Sequence, residues 1–209
     1  MKKFNPFVFL FATLIALSSC KKGQASFIIK GNVSDETFQT SLTNATIQLY
    51  RIAAGTNEET LISELESTDG SFRFEVKRDK TTQYKIAVTK QNYFPIVKEI
   101  PFNSLSIEQE NTVSLSTTAQ SWVKLRFNNL NALSSDHLKY IKQNGKVNCD
   151  ECCPATEQHL YGPQNTSFIC PNDANTTYSI FYAVLNTTDQ GIKSVITPAF
   201  DTTELLITY

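Results

Sequence analysis

Phe72, Phe74 and Val76 alternate along the chain with Arg73, Glu75 and Lys77. Successive side chains of a β-strand point to opposite faces, so an apolar–charged alternation of this kind fits a strand with one buried and one wetted face. The pattern recurs. Phe27, Ile29 and Val33 share a face in FIIKGNV; Ala45, Ile47 and Leu49 alternate with Thr46 and Gln48; Tyr84, Ile86 and Val88 alternate in YKIAVTK; Val113 and Leu115 end NTVSLST. With the runs at 60–66 and 93–100, roughly seven strands fall within about ninety residues, the spacing of a small antiparallel β-sandwich. Asp69-Gly70 separates two runs and suits the positive φ angles of a tight hairpin. Residues 35–44 are polar without a period and read as a loop.

A second unit is expected over 118–209. Val123, Leu125 and Phe127 alternate with Lys124 and Arg126, TYSIFYAVL is apolar on both faces as a central strand would be, and IKSVITP and ELLITY supply further strands. Between them lies a segment rich in Gly, Pro, Asn and Cys, read as a long loop with one or two short strands. DHLKYIKQ, residues 136–143, reads as a short helix. No ninety-residue repeat stands out. The expected fold class is therefore all-β: two small antiparallel sandwiches in tandem, at 26–117 and 118–209, the second carrying a cysteine-bearing loop.

The amino terminus sets the expected compartment. Lys2 and Lys3 precede the uncharged run FVFLFATLIAL at residues 7–17. At about 1.5 Å per residue such a run is too short for a hydrocarbon core of about 30 Å, and a positive flank before a short apolar run is the pattern of an export signal. Leu17-Ser18-Ser19-Cys20 resembles the bacterial lipobox. That resemblance implies diacylglycerol on the Cys20 thiol, cleavage after residue 19, a lipidated tether over 20–25 and a bilayer partner, with the outer membrane favoured because Lys21 follows. Two or three acyl chains hold stably where one holds marginally. Loss of Lys2 and Lys3 from 19 Lys and Arg, against 20 Asp and Glu, moves the formal charge from −1 to −3. That charge, with no basic cluster, argues against nucleic acid as a partner.

Cys149, Cys152, Cys153 and Cys170 remain. An even count behind an export signal points to disulfides. Bridging the adjacent Cys152 and Cys153 would strain their peptide, which leaves 149–153 with 152–170, or 149–152 with 153–170. Zinc is the sharper alternative, but two adjacent cysteines make a poor half-site. Thiol redox chemistry at Cys149-x2-Cys152 would want a thioredoxin-like βαβ context. His137 and His159 are the only histidines. Neither lies in a nucleophile elbow, and His159, near Glu157 and Tyr161, reads as a solvated loop residue rather than an acid–base group. Asn165, Asn175 and Asn186 open Asn-x-Thr/Ser triplets and read as turns. Trp122, Tyr50, Tyr93 and Phe94 are aromatics of the kind that line a glycan or peptide surface, with sandwich packing as their ordinary use.

KGNV, TNATIQLYR, STDGSFRFEV and YKIAVTKQNYFP, taken in order, resemble the carboxypeptidase regulatory-like domain, a transthyretin-like sandwich, over residues 26–117. Asn44 and Asn92 stand where that pattern usually has glycine, and asparagine is the residue that best replaces glycine in a left-handed conformation. The resemblance brings no catalytic residues. Together with the lipobox it implies a Bacteroidota-like envelope lipoprotein, non-catalytic, with a binding or scaffolding role toward a protein or glycan. No cofactor, metal ligand or catalytic residue is expected; the alternative is an enzyme or metal protein using the loop from Cys149 to Cys170.

Overall fold

The computed structural model describes residues 26–130, 133–149 and 151–209. The first sandwich contains β1 (Ser26–Asp35), β2 (Thr40–Ser41), β3 (Ala45–Ala53), β4 (Glu59–Ser67), β5 (Ser71–Lys77), β6 (Thr81–Thr89), β7 (Ile96–Pro101) and β8 (Asn111–Thr117). The second contains β9 (Gln120–Asn128), β10 (His137–Asn144), β11 (Gln158–Tyr161), β12 (Asn165–Asp173), β13 (Thr176–Val184), β14 (Gln190–Thr197) and β15 (Thr202–Thr208). The fold is all-β, two tandem sandwiches built from four sheets.

In the first sandwich β1 pairs with β2 and β5 antiparallel and with β8 parallel, and this sheet faces a second in the order β4-β3-β6-β7. The alternating positions meet between them: Phe27, Ile29, Ala45, Ile47, Leu49, Phe72, Phe74, Tyr84, Ile86 and Val88 form one buried cluster. Phe102, in a 3-10 turn after β7, packs edge-on against Phe27 at 5.3 Å. In the second sandwich the sheets run β12-β9-β15 and β11-β10-β13-β14, with Val123, Leu125, Phe127, Tyr178, Ile180, Leu205 and Ile207 buried between them.

The two sandwiches repeat one topology. In each, the first strand pairs antiparallel with the fourth long strand and parallel with the last (β5-β1-β8; β12-β9-β15), while the other four make an antiparallel sheet (β4-β3-β6-β7; β11-β10-β13-β14). The repeat escapes notice in the sequence because a sandwich needs only alternation and turns, which many residue combinations satisfy.

Three expectations change. Residues 137–144 are strand β10, not a helix; Leu138 is buried while His137 and Lys139 lie on the other face. The cysteine-rich segment contains the full-length strand β12 with Cys170 inside it, and its Pro171 is tolerated because β12 is an edge strand. Asn165 opens β12, whereas Asn175 and Asn186 occupy turns at φ 59° and 64°. Asn44 and Asn92 have φ 53° and 63°, the left-handed conformation expected of them.

Gly31 lets β8 close onto β1. A Cβ there would lie 1.7 Å from the Val113 carbonyl oxygen and 2.7 Å from Phe72 Cζ. Backbone cannot yield as a flexible side chain can, so Gly31→Ala is expected to destabilise the protein by about 3 kcal/mol, the upper end of overpacking costs. Chemical denaturation checks this; an unchanged midpoint contradicts it.

Candidate functional site

Only Thr118 and Ala119 separate β8 from β9, so the end of one sandwich is pressed against the start of the next. The junction is tied by backbone. Gln120 N–H donates to the Asn92 carbonyl at 2.8 Å, Phe200 N–H to the Gln120 carbonyl at 2.8 Å, and Ala174 N–H to the Ala119 carbonyl at 2.9 Å. Ala119 N–H donates to Thr37 Oγ1 at 2.9 Å. Beneath these bonds lies Asp35, buried at the end of β1. Its Oδ1 accepts from the backbone N–H groups of Thr37 (2.8 Å) and Phe38 (3.2 Å), and its Oδ2 accepts from the Tyr93 hydroxyl at 2.8 Å. Phe200 of the second sandwich packs against Phe38 and Tyr93 of the first at 5.9 and 5.7 Å between ring centres.

Beside the junction is an open groove of about 620 Å³. One wall comes from the first sandwich: Phe94 and Val97 at the β7 edge, Ser116 and Thr117 at the β8 edge. The other is a strap after β10 that includes Lys146, Asn148, Cys149 and Glu151. β7 and β8 are outer strands of their sheets, so each presents one side of its backbone to the groove region. Lys146 links the walls. Its Nζ donates to Asp173 Oδ1 at 2.7 Å and to Thr118 Oγ1 at 3.4 Å, and lies 4.3 Å from the centre of the Phe94 ring. Thr118 Oγ1 also donates to Asp173 Oδ1.

The strap is polar, and cross-links hold it. Cys149 is bonded to Cys152, and Cys153 to Cys170, one of the two pairings left open above. Cys170 is wholly buried in the second core, so the second bond fastens the strap to β12. Lys142, from β10, adds a third fastening: its Nζ donates to the carbonyls of Lys146 (2.8 Å), Cys152 (3.0 Å) and Cys153 (2.8 Å). Burial pushes this ammonium below its ordinary pKa. With both bonds formed, these four sulfurs offer no thiolate to a metal. Among the described residues, no three His, Cys, Asp or Glu groups converge as a cation site.

Cys20 lies outside the described residues. Tyr93 and Phe94 belong to the junction and the groove wall. Tyr50 is half-buried beside the groove-distant Lys85, whose Nζ lies 4.7 Å from its ring centre, and its hydroxyl donates to Gln48 Oε1 at 2.9 Å. Trp122 is half-buried on β9 opposite Pro171 and Thr202. The histidines are brought together: His137 Nε2 and His159 Nδ1 are 2.8 Å apart across β10 and β11. His159 is thus a strand residue, not a loop residue. Reading residues 136–143 as a helix hid this pairing, since a helix offers β11 no edge.

No protein-family profile matches the chain, and no curated protein matches it in sequence. The chain is similar to several solved structures. A Streptococcal ancillary pilin is 10% identical with a TM-score of 0.38, over 89% of this chain and 63% of that one. The chain therefore spans under two thirds of that pilin's length. The shaft pilin SpaA from Lactobacillus rhamnosus GG is 9% identical with a TM-score of 0.34, over 88% of this chain and 96% of that one. A DUF3823 family protein from Bacteroides uniformis ATCC 8492 is 10% identical with a TM-score of 0.31, over 83% of this chain and all of that one.

Two outcomes test the site. The oxidised chain should weigh four hydrogens less than the reduced one, and replacing Cys153 and Cys170 together by Ser should lower stability by about 3 kcal/mol, against about 2 kcal/mol for Cys149 and Cys152, because the closed loop is longer. At the junction, burial and then the Asp35 hydrogen bond and charge push the Tyr93 hydroxyl up to about 12 from 10.0. A folded-state pKa above the unfolded one contributes stability that is complete below about pH 10 and is lost as pH rises through about 12. Tyr93→Phe should flatten that alkaline loss; the same slope in parent and variant, by denaturation at stepped pH, would contradict the assignment.

Proposed function

We propose that the protein is a lipid-anchored, non-catalytic spacer and scaffold of the bacterial envelope, tethered through acylated Cys20, on the outer membrane. The observation that carries the scaffold reading is the parallel pairing of β1 with β8 and of β9 with β15. Because first and last strands run the same way, the chain leaves each sandwich at the end opposite its entry. Strands of nine or ten residues advance about 30 Å. Two modules joined by two residues therefore carry the second sandwich outward from a tether placed before Ser26. The two disulfides support an oxidising compartment.

The contacts of such a scaffold would be made at the groove, where the outer strands β7 and β8 present backbone and Lys146, Glu36 and Glu151 present charge. An extended segment of an envelope protein adding to one of these edges is the binding mode this favours, the backbone supplying affinity and the charges register. For the first sandwich we favour membership of the carboxypeptidase regulatory-like group, which the left-handed Asn44 and Asn92 support.

The anchor is tested by fractionation. The parent chain should partition with membranes and be cleaved before residue 20; Cys20→Ser should appear in the soluble fraction, uncleaved or cut elsewhere. A Cys20→Ser chain that stays with membranes and is processed like the parent would overturn the reading.

A further inference from the structure

We propose that His137 and His159 form a surface binding site for a borderline divalent cation, with Cu²⁺ first and Ni²⁺ next. The two nitrogens come from adjacent strands: His137 opens β10 opposite Tyr161, and His159 lies on β11 opposite Lys139, all four on the face away from the core. Their separation of 2.8 Å, set by the hydrogen bond between them, brings both nitrogens within reach of one ion at about 2.05 Å from each. The candidates for such a two-imidazole site are Cu²⁺, Ni²⁺ and zinc. Imidazole suits all three, and the general order of affinities puts Cu²⁺ ahead.

The surroundings prepare one ligand for this role. His159 Nε2 faces Glu157 Oε1 at 3.3 Å, which favours the proton on Nε2 and leaves the Nδ1 lone pair directed at His137. The other oxygen of Glu157 holds Lys139 Nζ at 3.2 Å, turning the nearest positive charge toward a carboxylate. Tyr161 stacks on His137 with ring centres 4.2 Å apart, and Glu157 and His137 hold the exposed His159 from its two nitrogens. In the metal-free pair one nitrogen donates its proton to the other. The cation takes that place when His137 carries its single proton on Nδ1 instead; water fills the remaining positions, and two waters leave the ion. This site is independent of the tether and groove reading, and stands on the opposite end of the second sandwich from the junction: β10 runs from His137 to Asn144, beside the buried Asn172 near the strap.

The test uses the full-length, untagged chain in detergent, disulfides intact and other thiols alkylated, titrated with Cu²⁺ against glycine as competitor. One equivalent should bind at micromolar metal, with a frozen-solution electron paramagnetic resonance spectrum showing coupling to two protein nitrogens. His137→Ala and His159→Ala should each weaken binding at least about tenfold and remove one nitrogen coupling. Glu157→Gln should weaken it by about tenfold, as loss of an outer partner does. His159→Gln, with a similar volume, guards against a folding failure, checked by near-ultraviolet circular dichroism. Undiminished binding in the His137→Ala/His159→Ala double variant, or no binding by the parent chain, overturns the proposal.

Discussion

Each sandwich is closed by a parallel pair, β1 with β8 and β9 with β15, and the remaining architecture follows from that closure. An antiparallel closure would return the chain to its point of entry and would need a long linker to start another module further out. A parallel one delivers it to the far end, where two residues suffice to begin β9. The closure makes a severe local demand: β8 approaches β1 so closely that Gly31 has no room for a Cβ. One absent side chain therefore connects the sequence to the direction in which the modules are strung.

The junction follows from the short connection. Two residues cannot shield the exposed ends of two cores, so polar and aromatic groups from both sides are drawn into contact. Burying the Asp35 carboxylate would be costly without partners, and three donors meet it: two backbone N–H groups that shape the turn after β1, and the Tyr93 hydroxyl. Tyr93 in turn supports Phe200 from the second sandwich. The same carboxylate thus ends a strand, orders a turn and seats an aromatic that meets the neighbouring module.

Much of this was legible wherever alternation was regular. The inward sets of β1, β3, β5, β6 and β9 are the residues that period two selects, because each strand has one dry and one wet face. β10 failed for a definable reason. Leu138 and Ile141 stand three apart, as on a helix face, and the register slips between Lys142 and Asn144, so the alternation is cut short. β12 failed because an edge strand tied by a disulfide has less need of apolar residues, and NTSFICPND has few. The histidine pair was out of reach, since cross-strand neighbours 22 positions apart become visible only when both strands are known. The cysteines announced a constraint that ties Cys170 to the adjacent pair, without showing which of Cys152 and Cys153 it takes.

The strap shows how a polar segment acquires a fixed shape. Its Val147 is exposed, so it buries little apolar surface to offset its lost conformational entropy. Covalent bonds reduce that loss by restricting the unfolded chain, and the Lys142 ammonium satisfies three strap carbonyls at once, a task no apolar residue performs. A Lys142→Met change would keep the stem and strand these carbonyls, so the strap would loosen while the second core, built from other residues, stayed intact. The groove wall and the sandwich behind it are therefore separable in stability. A groove wall of this construction keeps its shape as long as the two sulfur bonds and one ammonium hold the backbone in place.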